Sequence, residues 1–432
     1  MAVLLLVQCT AQAASDQKPL VSRITQDFNT SLYTVSIKNG APLVVDLAGS
    51  LVWSTCPSTH STVPCQSGTC GAASQQGPPR CRYVDGGWFW SGREPGSRCV
   101  CTAHPFNPVT GKCSTGDLTG FAMSANTTNG TDLLYPEALT AVGACAPERL
   151  LASLPQAAAG VAGFSATPLS LPSQLAAQRG FGNRFALCLP VFAAFGDTPV
   201  YLPNYNPSGP FDYTKRIQQT PFLTNPRTPG YYLPVKGISV SWRGPSVPVS
   251  LPAGALDLDV RTGRGGVVLS TVTPNAVMRP DVFRAFAKAF DTVVVRDSGG
   301  RMAREAPGHR RFELCYGGAG GTSFTFPMMK WTGIDAPAIT LQLGAGATGN
   351  WTILNSNYLR EWSCVGVVEM GPEGMPVDGE PAVVLGGVQL ENVLLVFDLD
   401  KRTLGFSRLL EWDLTSCYSA TMFRYKLPTT QP

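Results

Sequence analysis

The hydrophobic residues of this chain fall in short runs that are rich in β-branched and aromatic side chains and are bounded by Gly, Pro and Asn. Runs of this kind predict short strands joined by turns. The first group of predicted strands comprises Ser31–Ile37, Pro42–Val45 and Leu51–Ser54. Helical spacing is clearest in two segments, Leu171–Gln178 and Arg279–Phe290. The pattern therefore predicts a mostly β protein with few short helices.

A proline-rich stretch, Thr220–Tyr232, divides the chain into halves of similar length. Each half contains a hydrophobic strand that runs into a tight turn: PLVVDLAGSLVWS, with Asp46, and GGVVLSTVTPNAVM, with Ser270. Two such elements predict two related lobes with a cleft between them. We place the N-terminal lobe at residues 15–217 and the C-terminal lobe at 218–417. The tail, residues 418–432, has no periodicity and is expected to be loose.

The composition fits a folded protein without nucleic-acid or membrane partners. Apolar residues make up 44% of the 432 residues, which excludes a disordered chain. Gly (45) and Pro (36) are more frequent than average, as expected for many short strands and turns. The net charge of +4 is too small for a polyanion-binding surface. No run of 18 apolar residues occurs, so no transmembrane helix is predicted.

The N-terminus and the cysteines together indicate secretion. Residues 1–14 are interpreted as a signal peptide, because the short apolar stretch Ala2–Val7 leads into an alanine-rich segment. Of the 13 cysteines, Cys9 lies in this segment, which leaves an even number for six disulfides. Spacing alone leaves their pairing open. The remaining cysteines are Cys56, Cys65, Cys70, Cys81, Cys99, Cys101, Cys113, Cys145, Cys188, Cys315, Cys364 and Cys417.

The same cysteines are not predicted to bind a metal. No Cys-x-x-Cys pair occurs, and His60, His104 and His309 lie far apart in the sequence. We therefore expect neither a metal nor another cofactor.

Four Asn-x-Ser/Thr sequons occur, at Asn29, Asn126, Asn129 and Asn350. A sequon is used only in a secreted chain, and only where it is accessible. Asn126 and Asn129 lie in the polar stretch ANTTNGT, which is typical of a surface loop, so we predict glycosylation at these two.

The segment VVDLAGSLVWSTC resembles the first active-site loop of pepsin-like aspartic proteases, in which a Trp follows the catalytic Asp by seven residues. Asp46 and Trp53 keep that spacing. Further segments are similar to the cereal TAXI-type endo-xylanase inhibitors, which are related to basic 7S globulins and extracellular dermal glycoproteins. They are PFNPVTGKCSTGDL, CAPERLLASLP with GVAGF, GGVVLSTVTP and VLGGVQLENVLLVFDLD.

This resemblance extends from about Ser31 to Cys417, nearly the whole chain. It implies a mostly β, bilobal pepsin-like fold with two barrel-like lobes and a central cleft. Within that fold we expect four disulfides among the eight early cysteines. The late four are expected to pair as Cys315–Cys364 and Cys188–Cys417.

Catalysis is expected to be absent, because an aspartic protease needs two carboxyl groups that share a proton. Ser270 occupies the place of the second Asp, and a hydroxyl does not titrate as an acid near working pH. Leu47 lacks the hydroxyl that Thr provides beneath the dyad, and Ala48 replaces a freely turning glycine. The flap tyrosine is also missing, with Phe106 as the nearest aromatic residue. Asp46 is then interpreted as a structural remnant.

The resemblance implies a protein target, namely a family 11 endo-xylanase secreted by plant pathogens. In inhibitors of this kind, a histidine after the final Ser-Arg-Leu strand enters the enzyme's cleft. The segment Ser407–Cys417 contains no histidine and has Glu411, Trp412 and Asp413 instead. These three are the candidate target-binding residues, although packing of the C-terminal strand is the first interpretation of Trp412 and a target contact is the alternative. Carboxylates facing the enzyme's carboxylates would repel.

Three functions follow from these observations. The first is a secreted, monomeric inhibitor of a microbial glycanase in the apoplast or cell wall, acting in plant defence. The alternative is a storage or binding protein like the basic 7S globulins, which the missing histidine favours. An active peptidase is the third. Ser270 as a serine nucleophile is disfavoured, because no Gly-x-Ser-x-Gly elbow surrounds it.

Overall fold

Strands dominate the structure, a computed structural model. It describes residues 18–75, 81–84, 99–128, 134–197, 199–202, 211–305, 312–322, 324–329, 333–371 and 381–418. The predicted signal peptide and all but the first residue of the predicted tail lie outside these ranges. Within the described ranges, no helix has the length and apolar character needed to cross a membrane. The prediction of a mostly β protein is confirmed.

The largest sheet has thirteen strands and takes them from both halves of the chain. Its strands, in spatial order, are Gln218–Pro221, Thr403–Phe406, Leu394–Asp398, Arg184–Cys188, Phe192–Phe195, Leu20–Gln26, Tyr33–Val35, Leu43–Asp46, Gly160–Gly163, Val52–Ser54, Leu134–Cys145, Gly116–Thr128 and Thr102–Ala103. The strands of the C-terminal half join at one edge, where Leu394–Asp398 pairs antiparallel with Arg184–Cys188. The proposed boundary at residues 217 and 218 therefore separates strands that share one sheet.

The C-terminal half forms two further sheets. One has the order Tyr232–Leu233, Val267–Leu269, Val383–Leu385, Ala276–Met278 and Val367–Glu369. The other has the order Val247–Pro248, Val235–Ser241, Ala338–Leu343 and Trp351–Ile353. One small sheet has three strands, in the order Arg82–Tyr83, Lys112–Cys113 and Phe106–Asn107. Four further sheets have two strands each: Tyr201–Leu202 with Phe211–Asp212, Met302–Arg304 with Tyr316–Gly318, Met328–Met329 with Gly333–Ile334, and Leu359–Arg360 with Cys364–Val365.

The two halves repeat one strand arrangement. In the first, Leu43–Asp46 runs parallel to Gly160–Gly163, which is antiparallel to Val52–Ser54. In the second, Val267–Leu269 runs parallel to Val383–Leu385, which is antiparallel to Ala276–Met278. Asp46 ends the first strand of one arrangement, and Ser270 directly follows the first strand of the other. The repeat thus gives the two residues equivalent places.

The described residues include three α-helices: α1 (Gly68–Gln75), α2 (Leu171–Arg179) and α3 (Pro280–Asp297). Helix α3 begins with proline in its first turn, a position where the missing N–H is tolerated. It continues past the predicted end at Phe290, because Val293 and Val294 extend the buried face. Helix α1 was not predicted. Its sequence GTCGAASQ has no apolar period, and the Cys70–Cys101 disulfide holds it in place.

Six disulfides link the described cysteines. Four lie in the first half: Cys56–Cys145, Cys65–Cys99, Cys70–Cys101 and Cys81–Cys113. The late pairs are Cys188–Cys417 and Cys315–Cys364. This pairing agrees with the expected grouping of eight early and four late cysteines. Cys188–Cys417 is the long-range bridge, with a sequence separation of 229.

An aromatic cluster lies beneath the centre of the molecule and joins the halves. Phe185 stacks on Phe397 with ring centroids 4.6 Å apart, and Tyr231 packs against Phe397 at the same separation. The Tyr231 hydroxyl donates a hydrogen bond of 2.6 Å to the carbonyl oxygen of Phe164. These side chains are fully buried or nearly so, so they give the loops above them a rigid support.

Candidate functional site

The loops that follow the two equivalent strands contact each other. The hydroxyl of Thr271 donates a hydrogen bond of 2.6 Å to the carbonyl oxygen of Val45. The same hydroxyl accepts a hydrogen bond of 3.3 Å from the backbone N–H of Leu47. Both contacts are buried, and they join residues more than 200 positions apart. The second loop therefore anchors the first through one side chain.

Thr271 is a structural residue that was not predicted from the sequence. Leu47 has no hydroxyl to contribute beneath the site. Leu47 and Thr271 each stand one residue after the equivalent positions Asp46 and Ser270. The equivalence of positions 47 and 271 could have indicated the role of Thr271. One hydroxyl, from either of the two loops, is enough to form the hydrogen bonds that join them.

Replacing Thr271 by Val should lower the free energy of unfolding by about 1–3 kcal/mol. The change keeps the shape of the side chain and removes the hydroxyl that bonds Val45 and Leu47. Urea denaturation followed by tryptophan fluorescence measures the loss. Thr271→Ser keeps the hydroxyl and is the matched control. Equal stability of the Val and Ser variants would contradict the role given to this contact.

Ser270 is engaged by its own turn. Its hydroxyl donates a hydrogen bond of 3.0 Å to the hydroxyl oxygen of Thr273. It also accepts hydrogen bonds from the backbone N–H groups of Val272, at 3.3 Å, and Thr273, at 3.1 Å. This is the local bonding by which serine stabilises a turn. The geometry gives Ser270 no imidazole partner among the described contacts, as a nucleophile would need.

Asp46 is the buried acid of the site. It is 4% exposed, and its carboxylate oxygen Oδ1 accepts a hydrogen bond of 2.9 Å from the backbone N–H of Ala48. Burial raises the pKa of Asp46 from 3.8 to about 6, although the N–H groups of Ala48 and Gly49 oppose the shift. No second carboxyl group in the described part of the chain contributes to this pKa. A lone buried acid cannot share its proton as a carboxyl dyad does.

The turn after Asp46 tolerates alanine at its second position. Ala48 has a negative φ, so the turn is not strained there. Gly49 is the glycine that the loop requires, since an added Cβ would lie 2.7 Å from the Cα atom of Gly163. The close approach of the backbones in this turn therefore occurs at Gly49, one residue after Ala48.

The hairpin near Phe106 is tied to the first loop by Trp53. The indole Nε1–H of Trp53 donates a hydrogen bond of 2.8 Å to the carbonyl oxygen of Phe106. The hairpin consists of Phe106–Asn107 and Lys112–Cys113, and Cys113 is bonded to Cys81. Trp53 thus positions this hairpin through the backbone carbonyl group of Phe106. This contact does not require a tyrosine side chain in the hairpin.

The candidate target-binding segment forms a 3₁₀ turn, Leu410–Asp413. Trp412 is 51% exposed, so about half of its surface is open to solvent. Glu411 and Trp412 line a cavity of about 340 Å³. The other lining residues are Gly333, Ile334, Asn355, Ser356 and Leu359. The structure thus brings two of the three predicted residues to one open cavity.

The two acids of this segment differ in their partners: Asp413 contacts a cation, and Glu411 contacts neutral donors. Asp413 forms an ion pair with Arg408. Glu411 accepts hydrogen bonds from the Ser356 hydroxyl, at 3.2 Å, and from the Asn392 side-chain amide, at 3.0 Å. No cation in the described part of the chain pairs with Glu411. The cavity therefore presents one uncompensated carboxylate beside an exposed indole, a combination that attracts a cationic or hydrogen-bond-donating group.

The predicted glycosylation sites are only partly described. Asn126 is exposed on the strand Gly116–Thr128, whereas Asn129 lies outside the described residues. Cys56, His60 and Cys145 have ligand atoms within 4.8 Å of one another. Cys56 and Cys145 form a disulfide, so they offer no thiolate to a metal.

Comparison with known proteins identifies the family. A family model described as xylanase inhibitor N-terminal matches residues 33–197, and one described as xylanase inhibitor C-terminal matches residues 230–408. A rice protein (Oryza sativa subsp. japonica) named chitinase CLP is 39% identical over 415 residues, which cover 93% of this chain and 90% of the rice protein.

Two further proteins relate the chain to the pepsin-like fold. A probable aspartic proteinase, GIP2 of Nicotiana benthamiana, is 28% identical over 461 residues, covering 96% of this chain and 95% of its own length. The crystal structure of edgp superimposes with a TM-score of 0.74 at 28% identity and covers 93% of this chain and 97% of its own. This chain therefore belongs to the xylanase-inhibitor family and has its pepsin-like fold.

Proposed function

We propose that this chain is a secreted, non-catalytic protein that binds and inhibits a microbial family 11 endo-xylanase in plant defence. Its membership of the xylanase-inhibitor family supports a glycanase as the target. The six disulfides support an extracellular location, because disulfides persist in that oxidising environment. The protein acts as a monomer, and neither nucleic acid nor a membrane is its partner.

The observation that carries the proposal is the pair of loops at the centre. Ser270 holds the place equivalent to Asp46, and its hydroxyl is used within its own turn. Hydrolysis by an aspartic protease needs one carboxylate as base and one carboxylic acid to polarise the carbonyl. With one acid the chain keeps the fold and loses that chemistry. Asp46 then serves its own loop.

The cavity at Glu411 and Trp412 is the proposed contact with the target. An exposed tryptophan beside a polar rim is typical of the residues that contribute most to protein interfaces. Glu411 and Asp413 lie in the segment where the histidine is expected, and the Glu411 carboxylate is repelled by acidic groups. We infer that the enzyme bound here presents a basic side chain to Glu411.

Inhibition assays over a panel of family 11 and family 10 xylanases test the proposal. We expect one-to-one inhibition of at least one family 11 enzyme. Trp412→Ala should weaken that inhibition by about thirtyfold, which corresponds to about 2 kcal/mol. Phe28→Ala, at a site that is 96% exposed in the first half of the chain, is the matched control and should change nothing. Absence of inhibition throughout the panel would overturn the proposal.

Two substrate assays test the non-catalytic part separately. Because the rice relative is named a chitinase, chitin oligomers should be included beside an acid-pH peptide substrate. We expect no turnover of either. Hydrolysis that survives purification and is lost in Asp46→Asn would assign the chain to the enzymes.

A second candidate is a binding or storage protein that resembles the basic 7S globulins. The absence of a histidine from Ser407–Cys417 favours it. Affinity capture from plant extracellular fluid distinguishes the two functions. Recovery of a partner that is not a glycanase, together with a negative xylanase panel, would support this second function.

A further inference from the structure

A second cavity lies in the N-terminal half and shares no lining residue with the cavity at Glu411 and Trp412. It forms where the strand Leu20–Gln26, the turn after Tyr33–Val35 and the strand Gly116–Thr128 meet. Its volume is about 430 Å³, within the range of small-molecule sites. Residues 21–23, 36–42 and 124–126 line it. The cavity is thus built by segments that the large sheet already holds in register.

The charge of this cavity is positive and uncompensated. Arg23 and Lys38 line it, and none of its described lining residues is acidic. Neither cation forms an ion pair within the described part of the chain. Lys38 is half-buried, with its Nζ atom 5.5 Å from the ring centroid of Phe121, and burial lowers its pKa. An anion that binds beside a half-buried ammonium group stabilises the charged form of that group when no carboxylate of the protein already does so.

The polar groups of the cavity point to a ligand that carries hydroxyl groups as well. Ser36, Asn39 and Ser124 contribute hydroxyl and amide groups to the lining. A cavity of this size with such groups holds more than a single inorganic ion.

We propose that this cavity binds an acidic saccharide, with Arg23 and Lys38 holding a sugar carboxylate and Ser36, Asn39 and Ser124 holding ring hydroxyls. Arg offers a planar fork that matches a carboxylate, and Lys offers a point charge. Hydroxyl and amide side chains both donate and accept, which suits the hydroxyl groups of a sugar. The site is independent of the proposed contact with a xylanase.

Titration of the full chain with trigalacturonic acid, followed by calorimetry, tests the proposal. The protein is produced in a bacterial periplasm, which forms disulfides and adds no glycan to Asn126 on the cavity rim. Fully methyl-esterified trigalacturonate is the neutral probe, and inorganic phosphate is the simple anion. We expect saturable binding of the acid, and binding at least about tenfold weaker for the ester and for phosphate.

Variants locate the binding. Lys38→Gln and Arg23→Gln should each weaken binding of the acid by about tenfold, and Ser124→Ala should weaken it less. Lys288→Gln removes the same charge from an exposed position on α3 and should bind like the parent. Arg23 is exposed, so its variant folds even where Lys38→Gln does not. Equal binding of acid and ester, equal binding of phosphate, or no effect of Arg23→Gln would overturn the proposal.

Discussion

Replacing both Cys188 and Cys417 by Ala is expected to lower the free energy of unfolding by about 5 kcal/mol. The bridge joins residues separated by 229 positions, and both cysteines are fully buried. A cross-link restricts the unfolded chain, and the restriction grows with the logarithm of the loop that it closes. This bridge therefore contributes more than any other disulfide in the described part of the molecule.

Reversible guanidinium denaturation under oxidising conditions measures this change. The matched control is Cys65→Ala with Cys99→Ala, which opens a loop of sequence separation 34 and should cost about 4 kcal/mol. The variant without Cys188 and Cys417 should also show the larger m value, because its unfolded chain is less restricted and exposes more surface. A smaller loss for this pair than for the control would contradict the loop-length explanation.

Replacing Asp46 by Asn is expected to stabilise the protein at pH 7 and to remove a pH dependence between about pH 4 and 6. The folded pKa of Asp46, about 6, lies above its ordinary value of 3.8. The native state therefore binds a proton that the unfolded state has released. The stability present below about pH 4 is lost as the pH rises through 6, and the loss amounts to about 3 kcal/mol.

Denaturation curves of the parent and of Asp46→Asn at a series of pH values between 4 and 7 measure this effect. The Asn side-chain oxygen can still accept the hydrogen bond from Ala48, so packing is retained. The difference between the two proteins should grow with pH and level off above pH 6. Asp197→Asn removes one charge at an exposed position and should keep the slope of the parent. A parallel pair of curves for parent and Asp46→Asn would contradict the burial assigned to this acid.

The sequence predicts the central features of the fold because they depend on local pattern and motif spacing. Short hydrophobic runs between turn residues gave the strands, such as Leu43–Asp46 and Val52–Ser54. The pair of similar segments placed Asp46 and Ser270 at equivalent points of a repeated arrangement. Both conclusions depend on patterns within short segments of the chain, and neither requires knowledge of contacts between distant residues.

The remaining features depend on contacts between distant segments. Helix α1 has no apolar period, and a disulfide defines its position. Asp413 was grouped with Glu411, yet the structure pairs it with Arg408 and leaves Glu411 without a cation. The charge of the Arg23 and Lys38 cavity emerges only when three separate segments meet. Side-chain partners of this kind are set by tertiary packing, which a single sequence does not contain.

The shared sheet has a consequence for the nascent chain. The strand Arg184–Cys188 pairs on one side with Leu394–Asp398, which the ribosome adds about 200 residues later. At about 5–20 residues per second, this edge stays open for roughly 10 to 40 seconds after it is made. An open hydrophobic edge is a template for pairing with other chains. Chaperones that cover edge strands during synthesis should therefore determine how much of this protein reaches its native state.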